Sequence, residues 1–153
     1  MTPAKSQVSS RQSHGSNLNG HVRTTREVRD HLIAHAREDA PRECCGILLG
    51  RGEEIVEARR ARNVASSPAT RFVIDPKDHI DARRDGRARG LEILGFYHSH
   101  PHSAAVPSAT DVAEAAYPGS VYAIIGLSAD PPEVRVFEFA DGNFHERPLV
   151  TVG

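Results

Sequence analysis

The run Leu91-Glu-Ile-Leu-Gly-Phe-Tyr-His98-Ser99-His100-Pro101 joins an apolar stretch to a pair of histidines, and the rest of the chain can be read outward from it. Leu91 to Tyr97 has the length and apolar character of a buried strand. If the strand continues to His100, the side chains of His98 and His100 project from one face and that of Ser99 from the other. Both imidazoles can then reach one ion, while Ser99 is left to a structural role. Asp111 lies eleven residues beyond His100, at the start of the short helical stretch Asp111-Val-Ala-Glu-Ala-Ala116, so the intervening loop can fold back and bring a carboxylate to the same point. Two His and one Asp leave one position of a tetrahedral zinc ion open, which is the catalytic arrangement and not the closed structural one. Water at such a position is acidified towards a pKa of about 7.

Other histidines and cysteines do not make comparable groups. Ser108-x-x-Asp111 also has the spacing of a plain capping box. His31 and His35 stand at i and i+4 on a helical pattern, but Leu-Ile-Ala lies between them, without the Glu that a zinc-protease helix carries there. They read as structural. Cys44 and Cys45 are adjacent, poorly placed to bridge each other, and flanked by an apolar run, so they read as small buried hydrophobes. His102 and His145 have no partner at ligand spacing.

Upstream, residues 1–22 (MTPAKSQVSSRQSHGSNLNGHV) are rich in Ser, Asn, Gln and Gly and cannot repay the entropy of ordering, so a flexible tail is expected, followed by one domain over 23–153. Thr24-x-x-Glu27 has capping-box spacing, and Val28, Leu32, Ile33 and Ala36 recur on one face, which predicts a helix over 25–38. Gly46 to Gly50 and Glu54 to Ala58 read as a hairpin across Arg51-Gly52-Glu53. Phe72-Val73-Ile74 reads as a strand, and Asp75-Pro76 starts a helix that ends at Gly86 or Gly90. Val121 to Leu127, Val134 to Phe139 and a weaker stretch over Phe144 to Val150 supply further strands, separated by Pro131-Pro132 and Asp141-Gly142. Strands mixed with two or three helices, without strict alternation, predict a single α/β (α+β) domain of three layers around a mixed sheet.

Composition narrows the partners. The 153 residues suit one domain with a real core, and 19 basic against 20 acidic side chains give a net charge of -1, which argues against nucleic acid or an anionic membrane. With two non-bridging cysteines, no apolar run of the roughly 18 residues that span a bilayer, and no apolar signal-peptide core, a cytoplasmic protein is expected.

Taken together, His98-x-His100, seven further residues, Ser108, two residues and Asp111 resemble at every position the signature of the JAMM or MPN+ (JAB1/MPN/Mov34) metalloproteases. Pro41-Arg-Glu-Cys-Cys-Gly-Ile-Leu-Leu-Gly50 resembles the family's glutamate-bearing segment before its first core strand. Ile74-Asp-Pro76 through Gly90-Leu-Glu-Ile-Leu-Gly-Phe-Tyr97 resembles the stretch leading into its histidine pair, so the likeness covers all but the first 22 or so residues. It implies a curved mixed sheet flanked by helices and related to the cytidine deaminases. It also implies one Zn2+ per chain held by His98, His100 and Asp111, with Glu43 as general acid/base and Ser108 as donor to the oxyanion. A Glu beside the metal can take a proton from the attacking water and pass it to the departing amine, and a hydroxyl aimed at the oxyanion stabilises charge only where it develops.

The stretches between Glu43 and His98 and after Asp111 look too short for the insertions with which the family's eukaryotic deubiquitinases hold ubiquitin. The chain resembles instead the compact prokaryotic members, those of the sulfur-carrier-processing, Mec+-like type. That resemblance implies a partner, a ubiquitin-like sulfur carrier ending in Gly-Gly, and hydrolysis of the peptide or isopeptide bond after that tail, for example with release of cysteine or of a C-terminal extension. The alternatives are a peptidase or amidase for short peptides or amino-acid conjugates, using the same residues, and a metal-free interaction scaffold, which the complete ligand set disfavours. A zinc deaminase would need His-x-Glu with Pro-Cys-x-x-Cys, and neither occurs near His98 or Cys44.

Overall fold

The computed structural model describes residues 20–153. In chain order the elements are β1 (Val22–Thr25), α1 (Arg26–Asp39), β2 (Cys45–Arg51), β3 (Glu54–Ala61), α2 (Pro76–Ala88), β4 (Glu92–His100), α3 (Ala109–Glu114), β5 (Val121–Gly126), β6 (Glu133–Ala140), β7 (Asn143–Arg147) and β8 (Leu149–Val152). The strands form one mixed sheet in the order β7-β6-β5-β4-β2-β3-β1-β8. Strand β4, which carries the two histidines, lies in its interior, antiparallel to β2 and parallel to β5.

Burial on both faces follows from period-2 alternation. Cys44, Leu48 and Tyr97 pack with Val28, Leu32 and Ala36 of α1 on one side. Ile47, Leu49 and Phe96 pack with Ala82 of α2 on the other. The result is the three-layer α/β domain expected from the sequence, helix on sheet on helix. The two outermost strands, β7 and β8, are separated in sequence by Pro148 alone, yet they lie at opposite ends of the strand order. That connection forces the sheet to curl until its ends meet, with Val22 donating to the Pro148 carbonyl at 2.9 Å.

Local chemistry sets the element ends, and in places it departs from the sequence expectation. The tail expected over 1–22 falls almost wholly on residues 1–19, which lie outside the described residues; Val22 is buried and begins β1, a strand the sequence reading did not foresee. Thr24 therefore does not cap α1: it sits in β1 and donates its hydroxyl to the Ile55 carbonyl, 3.0 Å away. Thr25 is the cap, accepting from Val28 N at 3.1 Å. The hairpin forms as expected, with Gly52 at φ 60°, a conformation that favours glycine. Helix α2 begins at Pro76 behind an Asp75 cap.

Phe72–Ile74 is not a strand. Asn63 makes one bridge to Ile74, and its side-chain amide accepts from Val73 N and donates to the Arg71 carbonyl, so the loop backbone is satisfied by a side chain and not by a ladder. The expected strand over Phe144 to Val150 is two strands broken at Pro148, which has no N–H for a ladder. No helix among the described residues is long and apolar enough to cross a membrane.

Candidate metal centre

Alternation along β4 puts His98 and His100 on one face, where both are buried. Ser99 faces the other way, with its hydroxyl accepting from Cys44 N at 2.8 Å, a structural tie between β4 and the chain entering β2. The loop after β4 turns back, and α3 brings Asp111 to the histidines. Asp111 Oδ2 lies 3.0 Å from His100 Nε2 and 3.1 Å from His98 Nε2. The two Nε2 atoms are 3.2 Å apart.

These separations can be compared with what an ion would need. Zinc–ligand bonds of about 2.0–2.1 Å in tetrahedral geometry place ligand atoms about 3.3 Å from one another. The three observed separations are within a few tenths of an ångström of that value, and the donors, two imidazole nitrogens and a carboxylate oxygen, suit zinc. His100 Nδ1 lies 2.9 Å from the Ala104 carbonyl; a proton on Nδ1 fixes the tautomer and leaves the Nε2 lone pair for the ion. His98 Nδ1 is buried without a polar partner. Its ring is held instead by Phe72, stacked at 4.4 Å between centroids and 19° between planes. The residues fit a metal.

Charge distribution agrees with that fit. Burial would raise Asp111, but hydrogen bonding to His100 and His98 outweighs it and holds the carboxyl far below the usual range. Burial keeps His98 below its ordinary value. His100 is drawn above its own because the Asp111 carboxylate and the Ala104 carbonyl overcome the effect of burial.

The position of Glu43 follows from strand register. Cys45 pairs with His98 in the antiparallel β2/β4 ladder, and Ser99 N donates to the Cys44 carbonyl, so one further step brings Glu43 opposite His100. Its backbone is gripped by the loop before α2: Glu43 N donates to the Pro68 carbonyl at 2.8 Å, and Asn63 Nδ2 donates to the Glu43 carbonyl at 3.0 Å. The residue is 6% exposed, and its side-chain Oε1 is buried with no hydrogen-bond partner. Burial pushes this carboxyl up to about 7, with His100 opposing and Asp111 and Glu114 adding to the rise.

Ser108 is the N-cap of α3. Its hydroxyl accepts from Asp111 N at 3.0 Å while Asp111 Oδ2 accepts from Ser108 N at 2.9 Å, so the capping box and the metal group share a carboxylate. The Ser108 residue is exposed, and its hydroxyl still has a proton to donate. Beside Asp111 opens a cavity of about 300 Å³ with Phe72, Ile74, Phe96, Tyr117 and Tyr122 in its walls and His79 at one side. An Arg71–Glu114 ion pair links the loop before α2 to α3 along it.

The histidines and cysteines read as structural, His31, His35, Cys44 and Cys45, lie outside the group of ligand atoms. His35 is buried and hydrogen-bonded to Tyr97 Oη at 2.7 Å. His31 is exposed, and His145 meets the Ala140 carbonyl. Cys44 and Cys45 are free and buried, their thiols pushed up by desolvation. Sequence reasoning missed Phe72 and Asn63: nothing in a short apolar triplet or a lone Asn signals that one stacks on His98 and the other ties down the Glu43 backbone.

The sequence profile of the family described as prokaryotic homologs of the JAB domain matches residues 25–140, which include every residue of this site. A desampylase of Haloferax volcanii is 39% identical over 104 residues, covering 64% of this chain and 75% of that protein. A CysO-cysteine peptidase of Mycobacterium tuberculosis is 32% identical over 124 residues, 79% of this chain and 84% of that protein. The solution structure of a protein from Desulfitobacterium hafniense superposes with a TM-score of 0.77 at 32% identity, covering 85% of this chain and 92% of the other. The chain belongs to the prokaryotic JAB-domain family, the compact branch of the JAMM/MPN group, and is a hydrolase acting on peptide bonds.

Proposed function

We propose that the chain is a zinc metallopeptidase that cleaves the peptide or isopeptide bond after the C-terminal Gly-Gly of a ubiquitin-like sulfur carrier, with His98, His100 and Asp111 as metal ligands, Glu43 as general acid/base and Ser108 as donor to the oxyanion. The observation that carries this reading is the buried Glu43 carboxyl, its Oε1 without a hydrogen-bond partner, set opposite His100 beside three convergent donor atoms. The relatives named desampylase and CysO-cysteine peptidase support the substrate class.

Zinc held by the three ligands would supply Lewis acidity, polarising the scissile carbonyl and acidifying the attacking water. Glu43, with its pKa lifted by burial towards neutrality, takes the proton of that water as the new C–O bond forms. It then hands the proton to the departing nitrogen as the C–N bond breaks, so the carboxylate is regenerated and no other proton carrier is needed. The Ser108 hydroxyl donates to the carbonyl oxygen as negative charge builds there, an effect of about 3 kcal/mol for one well-placed donor. Ala104 and the capping box keep His100 and Asp111 in place throughout. The Arg71–Glu114 pair stands in the wall of the cavity beside Asp111, where a glycine tail would bring no side chains to accommodate.

The test is intact-mass analysis of a Gly-Gly-tailed sulfur carrier, extended by cysteine or a short peptide, after incubation with zinc-loaded protein. Loss of the extension after the second glycine is expected with wild type and not with Glu43→Gln. An unchanged carrier mass alongside hydrolysis of free dipeptides would replace this reading with a short-peptide peptidase.

A further inference from the structure

Helix α2 presents two unlike faces. Its inner face is Ala82 and Gly86, both buried, with Gly86 so close to Leu49 that a Cβ there would stand 3.1 Å from Leu49 Cδ2. Ile80, Arg83, Arg84 and Arg87 stand at i, i+3, i+4 and i+7, the spacing of a single helical face. Ile80 is 54% exposed, and with the three arginines and Ala88 it lines a surface depression of about 440 Å³.

The acids of the helix are all engaged elsewhere. Asp78 pairs with Arg62, Asp81 with Lys77, and Asp85 with both Arg59 and Arg89. Among the described residues, Arg83, Arg84 and Arg87 make no ion pair. Three guanidinium groups without an ion pair surround an exposed isoleucine, and on a chain of net charge -1 they give one face a local positive field that the whole molecule lacks. This face adjoins the cleft: His79, the residue before Ile80, lines the cavity beside Asp111, and so does Val73, itself 40% exposed.

We propose that the outer face of α2, Ile80 with Arg83, Arg84 and Arg87, docks the folded body of an acidic ubiquitin-like carrier whose C-terminal tail enters the cleft at Asp111. The inference rests on the substrate reading above and adds the surface that recognises the carrier apart from its tail. A body tethered to a tail in that cavity is within reach of α2, whose His79 lines the cavity wall. Ile80 gives it an apolar contact, and the arginine fork pairs with surface carboxylates in two-point geometry. Steering by such a rim acts mainly on association and is screened by salt.

The experiment is a fluorescence-anisotropy titration of the full chain with a labelled acidic sulfur carrier ending in Gly-Gly, which offers no bond to cleave, and with a peptide of its last residues alone. Wild type should bind the carrier more tightly than the peptide, with an advantage that shrinks as salt rises. In Arg83→Glu/Arg84→Glu/Arg87→Glu, and in the milder Arg84→Gln/Arg87→Gln should the triple reversal unfold, that advantage should fall, by about tenfold or more for the reversal. Ile80→Ser should reduce it without altering its salt dependence. Equal carrier binding by wild type and the arginine variants overturns the proposal, as does wild type binding the carrier no better than the peptide. Equally tight binding of a short DNA duplex would overturn it in favour of a general polyanion surface. Carrier binding that depends on α2, with no cleavage of an extended carrier, would instead leave the docking face standing and remove the reading of the carrier's tail as the bond that is cleaved.

Discussion

The ring of Phe72 lies flat on that of His98, with centroids 4.4 Å apart and planes inclined by 19°. A metal-binding histidine ordinarily has its orientation set by a hydrogen bond from its second nitrogen, but His98 Nδ1 has no such partner, so the loop before α2 does that work by stacking. Phe72→Ala should therefore weaken zinc binding by about tenfold, in line with the loss of other groups that orient ligands. Competition against a chromophoric chelator checks this. Zinc affinity equal to that of wild type would mean that β4 alone fixes the ring.

Glu43→Gln keeps the side chain's shape and removes its proton affinity. Zinc stoichiometry should stay at that of wild type, while kcat falls by at least about a hundredfold, the lower end of what a positioned general base contributes. His100→Ala and Asp111→Ala should lose both zinc and turnover. Full activity in the Gln variant would remove Glu43 from the chemistry.

Ser108 serves the helix cap, and on the proposed mechanism the oxyanion too. The two can be separated, because Gly replaces a capping Ser at a cost of only a few tenths of a kcal/mol whereas Ala costs about 1 kcal/mol. Both Ser108→Gly and Ser108→Ala should lower kcat by about 10² to 10³. Thermal melts should show Ala to be the less stable. A kcat loss that tracked stability would assign Ser108 to the cap alone.

His35 gives the fold a defined acid sensitivity. Burial lowers its pKa from 6.5 to about 4, helped by Arg60 and opposed by Asp39. Between those values the unfolded chain binds more protons than the folded one, so the stabilisation is fully present above pH 6.5 and is lost as pH falls towards 4. The loss amounts to at most about 3 kcal/mol. Denaturant melts at pH 7.5 and pH 4.5 should show a gap for wild type that narrows in His35→Gln, since Gln can still meet Tyr97 Oη. An equal gap in both proteins would place the acid sensitivity elsewhere.

Gly126 is opposite His100 in the β4/β5 ladder, and a Cβ there would stand 2.5 Å from Ala105 N. Gly126→Ala must push away the loop whose Ala104 carbonyl meets His100 Nδ1. The far-ultraviolet circular dichroism should stay close to that of wild type while zinc affinity falls by about tenfold or more, as for other losses of a ligand's supporting hydrogen bond. Unaltered affinity would show that Ala104 does not set the tautomer.

Much of this arrangement is legible in local pattern. His98 and His100 share a face because two residues is the period of a strand, and Asp111 sits on the first turn of its helix because Ser108-x-x-Asp111 is a cap. Other features are not local. Thr24 has capping-box spacing to Glu27, yet the cap falls to Thr25 because the Thr24 hydroxyl is taken by the Ile55 carbonyl, an arrangement set by β1, a four-residue strand whose partners are β3 and β8. Phe72 belonged to an apolar triplet that reads as a strand, and its stacking on His98 depends on a loop conformation set by the Asn63 side chain.

The role of Glu43 came only from the family resemblance, but the sequence by itself determined which side chains could share one metal ion, His98, His100 and Asp111, and which segments read as buried strands around them. Those are properties of residue type and short spacing, which an extended or helical backbone converts directly into direction. The tertiary structure alone decided the placing of Glu43 opposite His100, which needs the β2/β4 register, the curl that carries β7 into β8 across Pro148, and the lifting of the Glu43 carboxyl to about 7. Each of these depends on groups far apart in the chain, and on the exclusion of water that their packing achieves, so no window of sequence contains them.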